Sequence, residues 1–178
     1  GQTGTFNLDN ASRVEFMRGP FSAMYGNSSG GVVQSFTKKG GPDTELSAEA
    51  FIGEYGTHRE TLTASGQQAN VDYVLNDAHY STDGYRTLSK FKRDTLNAKI
   101  GIDLSEATRV TLIATDLDQP NVQDPGGLTM AQFIANPKQS NSSNQSTNAH
   151  KEISHTHAGL IVEHKLSESD SINAMVYY

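Results

Sequence analysis

The chain has no cysteine among its 178 residues. Disulfides and thiolate metal centres are therefore excluded. No stretch approaches the run of about 18 apolar residues that a membrane-spanning helix requires. A membrane is not excluded, because a spanning β-strand needs only about 9–11 residues and alternates apolar with polar positions. No cluster of Lys and Arg could neutralise a run of phosphates, and the formal net charge of -6 argues against a nucleic-acid footprint. Neither Gly-x-Ser-x-Gly nor His-Glu-x-x-His occurs, and no carboxylate pair has a convincing catalytic spacing. No catalytic set is expected, and neither a resident metal nor a cofactor. The opening residues Gly1-Gln2-Thr3-Gly4 hold no initiator Met and no charged-then-apolar leader. The last residues, Val176-Tyr177-Tyr178, stand inside an alternating run. The expectation is an internal piece of a longer protein.

What the chain does have, from Glu45 onward, is period-2 alternation. Leu96, Ala98, Ile100, Ile102 and Leu104 alternate without a break against Thr95, Asn97, Lys99, Gly101 and Asp103. The same pattern runs through Leu46–Ile52, His58–Ser65, Val71–Leu75, Val110–Ala114, Thr156–Leu166 and Ile172–Tyr178. Such alternation predicts about seven strands, each with one apolar and one polar face. Turns near 67–70, 105–108 and 167–171 are short, whereas loops at 81–94 and 118–152 are long, and 53–57 is a short exception. Sorting of loop lengths onto two rims is a property of outer-membrane barrels. The long insertion holds Asp124-Pro125-Gly126-Gly127, a helix over Thr129–Ala135 and a low-complexity run at 139–146.

The first forty residues have another texture. Val14, Phe16 and Met17 form an apolar patch broken by Gly19-Pro20, since Pro20 fixes its own φ and biases Gly19 away from helix. Ser22–Met24 suits one helical turn, with Gly26 as C-cap. Val32-Val33-Gln34-Ser35-Phe36 reads as a strand, and Lys38-Lys39-Gly40-Gly41-Pro42 as a linker.

The ordered series Val14-Glu15-Phe16-Met17-Arg18-Gly19-Pro20, Tyr25-Gly26, Gly30-Gly31-Val32-Val33-Gln34 and Thr37-Lys38 resembles the end of the plug domain in TonB-dependent outer-membrane receptors. Gln34-Ser35 departs mildly from the family's Asn-Ile, and Ser28-Ser29 from a common Ala. The resemblance implies an all-β chain: residues 1–41 as the C-terminal part of a plug, and residues 45–178 as the N-terminal strands of a transmembrane antiparallel β-barrel of about 22 strands. It further implies uptake of a scarce solute, most often a ferric siderophore, in the outer membrane of a Gram-negative bacterium. Energy would come through the TonB–ExbB–ExbD complex, and outer-membrane lipid would surround the wall.

For individual residues, the resemblance makes Glu15 and Arg18 a plug–barrel lock, because charged plug residues pair with the inner wall. A plain surface ion pair is the alternative. Gly19, Pro20, Tyr25, Gly26, Gly30 and Gly31 serve the plug's tight turns; a phosphate cradle would need a Gly-Lys-Ser/Thr ending that this run lacks. His155 and His157 share a strand face, expected to be the lumen side, without an evident third metal ligand. Asp116 and Asp118 share a face near the loop rim. Tyr73, Tyr80, Tyr85, Tyr177 and Tyr178 are candidates for interfacial aromatic girdles. Two rival readings are a non-transporting outer-membrane barrel or surface binding protein, and a soluble β-sandwich module. Neither accounts for residues 14–38.

Overall fold

A computed structural model describes residues 11–21 and 30–178. Two antiparallel sheets make up the fold. The small one is a ribbon of β1 (Ala11–Arg18) and β2 (Gly31–Thr37). The large one has seven strands in sequence order: β3 (Glu45–Ile52), β4 (His58–Gln68), β5 (Val71–Thr82), β6 (Phe91–Asp103), β7 (Thr108–Gln123), β8 (His150–Lys165) and β9 (Ser171–Tyr177). Every neighbour is the next strand along the chain, so all connections are hairpins. Hairpin topology puts 69–70, 104–107 and 166–170 on one rim, and 53–57, 83–90 and 124–149 on the other. The expected strand count and the expected sorting of turns are both observed.

Register shows how the alternation is used. One row runs Leu46, Ala64, Leu75, Ala98, Ala114, Ala158 across six strands. The next is Tyr73, Ile100, Leu112, Leu160, Val176, and the third is Val71, Ile102, Val110, Val162, Ala174. On the opposite face, Asn76, Asn97, Thr115 and His157 form one row, and Thr61, Ala78, Thr95, Leu117 and His155 another.

The burial of these faces is inverted relative to a water-soluble sheet. Leu46, Leu62, Leu112, Leu160 and Val176 on the apolar face are all exposed. Thr61, Asp72, Asn76, Thr95 and Thr111 on the polar face are buried, with Asn76 only 1% exposed. Part of the buried face is satisfied internally: Asn76 Nδ2 donates to Thr63 Oγ1 at 2.8 Å, and Thr115 Oγ1 donates to Asn97 Oδ1 at 3.1 Å, whereas Thr61 Oγ1 and Asn97 Nδ2 are buried without a partner among the described residues.

The strands outrun the expected ones. β7 and β8 extend to Gln123 and from His150, so the loops at this rim are shorter than 81–94 and 118–152. Above the apolar rows the same face carries Glu60, His79, Asp94, Asp118 and Ser154. With both faces polar there, the strand continues but the alternation ends.

Candidate functional site

The ribbon is paired from Ala11↔Thr37 to Arg18↔Gly31. Glu15 sits in β1 opposite Gln34, and its carboxylate takes the Arg13 guanidinium at 2.9 Å. Arg18 is exposed at the end of β1, and among the described residues no ion pair joins it to Glu15. Gly19 N donates to Gly30 O at 3.5 Å, with Pro20 following on the same exit from the strand. Gly31 has φ +149°, and a Cβ there would lie 2.6 Å from the Met17 carbonyl oxygen. A side chain at this position would force the two strands apart, which is the physical content of the second Gly in the pair. Tyr25, Gly26 and the turn Ser22–Met24 lie outside the described residues.

The segment that leads from the ribbon to the large sheet crosses the buried polar face near the short-turn rim. Lys39 Nζ lies 3.8 Å from Asp72 Oδ2, and the same carboxylate accepts from Arg109. Arg109 also donates to Asp103 at 2.8 Å. Asp72 is 2% exposed, so its charge depends on these two cations for solvation. Lys99 Nζ donates to the Thr37 carbonyl at 3.1 Å. This group was not foreseen. In sequence, Asp72 and Arg109 are polar members of alternating strands, and only register brings them together.

At the opposite rim the loops form one lobe. Arg86, on the β5–β6 loop, spreads its guanidinium over three carbonyls of the β7–β8 loop: Nε to Gln139 at 2.9 Å, Nη1 to Gly126 at 2.8 Å and Nη2 to Pro125 at 3.2 Å. A planar fork with fixed donors suits such a set of acceptors, and Lys would not. Thr87 N adds a bond to the Lys138 carbonyl at 2.8 Å. Tyr55 and Tyr85 meet edge to face at 5.6 Å, and Lys138 Nζ lies 5.6 and 5.5 Å from their ring centres. Within the β7–β8 loop, helix α1 (Met130–Ala135) starts at the expected place, because Thr129 and Gln132 form a reciprocal capping box. Helix α2 (Ser142–Ser146) is capped by Asn141 and falls in the run read as low complexity. Serine-rich composition hid it, since the Asn cap and a single turn carry no periodic signal.

His155 and His157 lie on the polar face as expected, stacked at 6.2 Å. Among the described residues, no three His, Asp or Glu side chains are grouped to hold a metal. Asp116 and Asp118 share the other face, where Thr156 donates to Asp116 at 2.6 Å. The tyrosines divide. Tyr73 stands on the apolar face near the short-turn rim, and Tyr178 pairs with Ala158 on that face. Tyr80 lies in the row of Arg59 and Arg93 on the polar face, packed on Phe91 at 5.5 Å, and Tyr177 approaches His157 at 5.9 Å. Tyr80 and Tyr177 thus point away from the face a girdle would need.

No protein-family model matches the chain. Solved structures do. The ferric-catecholate import receptor Fiu from E. coli K12 superposes with a TM-score of 0.75 at 20% identity, over 94% of this chain and 28% of Fiu. The ferric enterobactin receptor PfeA of Pseudomonas aeruginosa gives 0.71 at 19% identity, over 99% of this chain and 28% of PfeA. The copper transporter OprC gives 0.69 at 16% identity, over 94% of this chain and 25% of OprC. These are TonB-dependent receptors, and the chain has their fold. It spans about a quarter of the length of the receptors it matches.

Proposed function

We propose that this chain belongs to a TonB-dependent receptor of the Gram-negative outer membrane that takes up a scarce solute, a ferric siderophore foremost. In this reading residues 1–41 are the C-terminal part of the plug. Residues 45–178 are the first strands of a barrel of about 22. The observation that carries the reading is the inverted sidedness of the large sheet. Three apolar rows face outward while the polar face is buried. From Leu96 to Leu104, at the head of the rim turn, the apolar series covers about 26 Å at about 3.3 Å per residue. A tilt of about 40° makes that about 20 Å of height, the order of a barrel's lipid-facing band. In water the same face would be an aggregation surface.

The short-turn rim is then periplasmic, and the lobe around Arg86 is external. A lobe rigidly held by backbone acceptors and carrying exposed Tyr55, Tyr85, Met130, Phe133 and Ile134 offers a surface for capture rather than chemistry. In this reading Arg18, exposed at the ribbon's end, would meet wall carboxylates of the closed barrel, while Glu15 is held by Arg13. Coupling to TonB, ExbB and ExbD follows from the same reading, as does a surround of outer-membrane lipid.

The test is expression of the full-length protein in a Gram-negative host stripped of its own catecholate receptors. Iron accumulation from ferric enterobactin is measured with and without TonB. TonB-dependent accumulation is expected. Recovery of the protein in the soluble fraction would end the membrane reading. Outer-membrane insertion with copper but not iron accumulation would replace the substrate class.

A further inference from the structure

The passage from ribbon to large sheet is fastened more closely than a linker of Lys, Gly and Pro leads one to expect. Thr37 is held through its carbonyl by Lys99 at 3.1 Å. Lys39 lies 3.8 Å from the buried Asp72 carboxylate. Gly40 is itself buried, and a Cβ on it would stand 2.1 Å from the Gly66 carbonyl oxygen and 2.7 Å from that of Tyr73. Only a residue without a side chain lets the backbone lie against the β4–β5 hairpin this closely. Thr44 Oγ1 then meets the Tyr73 hydroxyl at 3.3 Å. The fastenings reach four successive strands, since Gly66 belongs to β4, Tyr73 and Asp72 to β5, Lys99 to β6, and Arg109, which shares Asp72, to β7. By contrast, among the described residues neither strand of the ribbon makes an extended contact along a strand of the large sheet.

We propose that residues 37–44 are a fixed anchor on the wall. Asp72 and Gly40 are its positioning residues, so any displacement of the plug ends at Thr37 and is not passed into the barrel. The proposal rests on the receptor reading for its purpose, but the anchor is a local property that can be measured without transport. Asp72 satisfies two partners with different tasks. Arg109 ties it to Asp103 and holds the wall together, whereas Lys39 brings the tether to it.

Trypsin provides the readout, because Lys38 and Lys39 mark the anchor and Arg59, Arg93 and Lys99 mark the wall, and cleavage needs local detachment of the backbone. The full-length protein, folded in detergent micelles, is digested and the cut sites are ordered by mass spectrometry. Heat-modified migration on a gel serves as the control for an intact barrel. Wild type is expected to resist cleavage after Lys38 for as long as the wall resists cleavage at Arg59, Arg93 and Lys99. Gly40→Ala, which leaves every charge in place, is expected to raise the rate after Lys38 by about tenfold or more, with cuts at Arg59, Arg93 and Lys99 unchanged. Asp72→Asn should do the same. Lys39→Gln, which spares the Asp72–Arg109 pair, should give a smaller rise of about threefold. Cleavage after Lys38 in wild type well before any cut in the wall would overturn the proposal. So would variants whose wall is cut as readily as the tether, since Asp72 and Gly40 would then only stabilise the barrel. Loss of TonB-dependent uptake bears on the receptor reading alone and leaves this result standing.

Discussion

The two halves of each long strand obey different rules. Toward the short-turn rim, β5 to β8 present Ile100, Leu112 and Leu160 on one face and Asp72, Lys99 and Thr111 on the other. Toward the loop rim the first face becomes His79, Asp94, Asp118 and Ser154, and no apolar row survives. Hydrogen bonding is continuous through both halves apart from register shifts between Lys92 and Asp94 and between Gln119 and Val122. The backbone therefore does not distinguish them; the polarity of this one face does. In the proposed orientation one half lies in hydrocarbon and the other stands in water beyond it.

The sharpest way to break that comparison is to put one charge at two heights on one face. Leu112→Arg is expected to cost about 2–4 kcal/mol, the range for Arg near a bilayer midplane. Ser154→Arg, three rows higher on the same face, is expected to cost about 0–1 kcal/mol. Reversible urea unfolding of the full-length protein in phospholipid vesicles measures both. Equal costs at the two positions would remove the apolar band as a membrane contact.

The second test concerns the loop half alone. Arg86→Ala removes three charge-assisted bonds to carbonyls of the neighbouring loop. A hydrogen bond to a charged group is worth about 1.5–3 kcal/mol, and the three share one side chain, so a total of about 3 kcal/mol is expected. The loss should be local. Amide exchange in residues 124–149 should rise by about a hundredfold while β5 to β8 below the loops stay protected. Arg86→Lys should recover little, because a single ammonium cannot address three carbonyls at once. Faster exchange throughout the sheet would mean that lobe and strands are one cooperative unit.

The same division explains what could be read from the residues alone. The apolar half was legible strand by strand, since lipid or core on one side and polar surroundings on the other impose period 2. Loop sorting followed from it. The upper half was not, because polar residues on both faces of β7 and β8 look like loop. The helix at Met130–Ala135 was expected over Thr129–Ala135, and its capping box explains why it forms there, whereas the Asn141-capped turn inside a serine run was not expected. The Asp72 cluster and the Arg86 lobe were invisible for a different reason. Their members are separated by 37 and up to 53 positions, and only the register and the fold of the loops bring them together. Glu15 and Arg18 drew attention through the family resemblance as contacts to a barrel wall, with an ion pair between the two as the alternative; of these, only the alternative meets the ribbon directly, and there Glu15 turns to Arg13, two positions away. In a strand, residues two apart share a face and residues three apart do not.

The smallest effect is expected at Lys138, and it separates two kinds of contact in the lobe. Its ammonium lies over Tyr55 and Tyr85, but its carbonyl accepts from Thr87 N whatever the side chain. Lys138→Ala therefore deletes the cation and spares the backbone bond. An exposed cation–π contact is worth about 0.5–1 kcal/mol, a factor of about 2–5 in a local opening equilibrium. Exchange of the Thr87 amide in the full-length protein should rise by that factor, and residues 139–149 should not respond. A response as large as that of Arg86→Ala would show that the aromatic pair, not the guanidinium, holds the lobe together. The order of the two variants then decides whether the external surface is fixed by backbone acceptors inside it or by side chains at its edge.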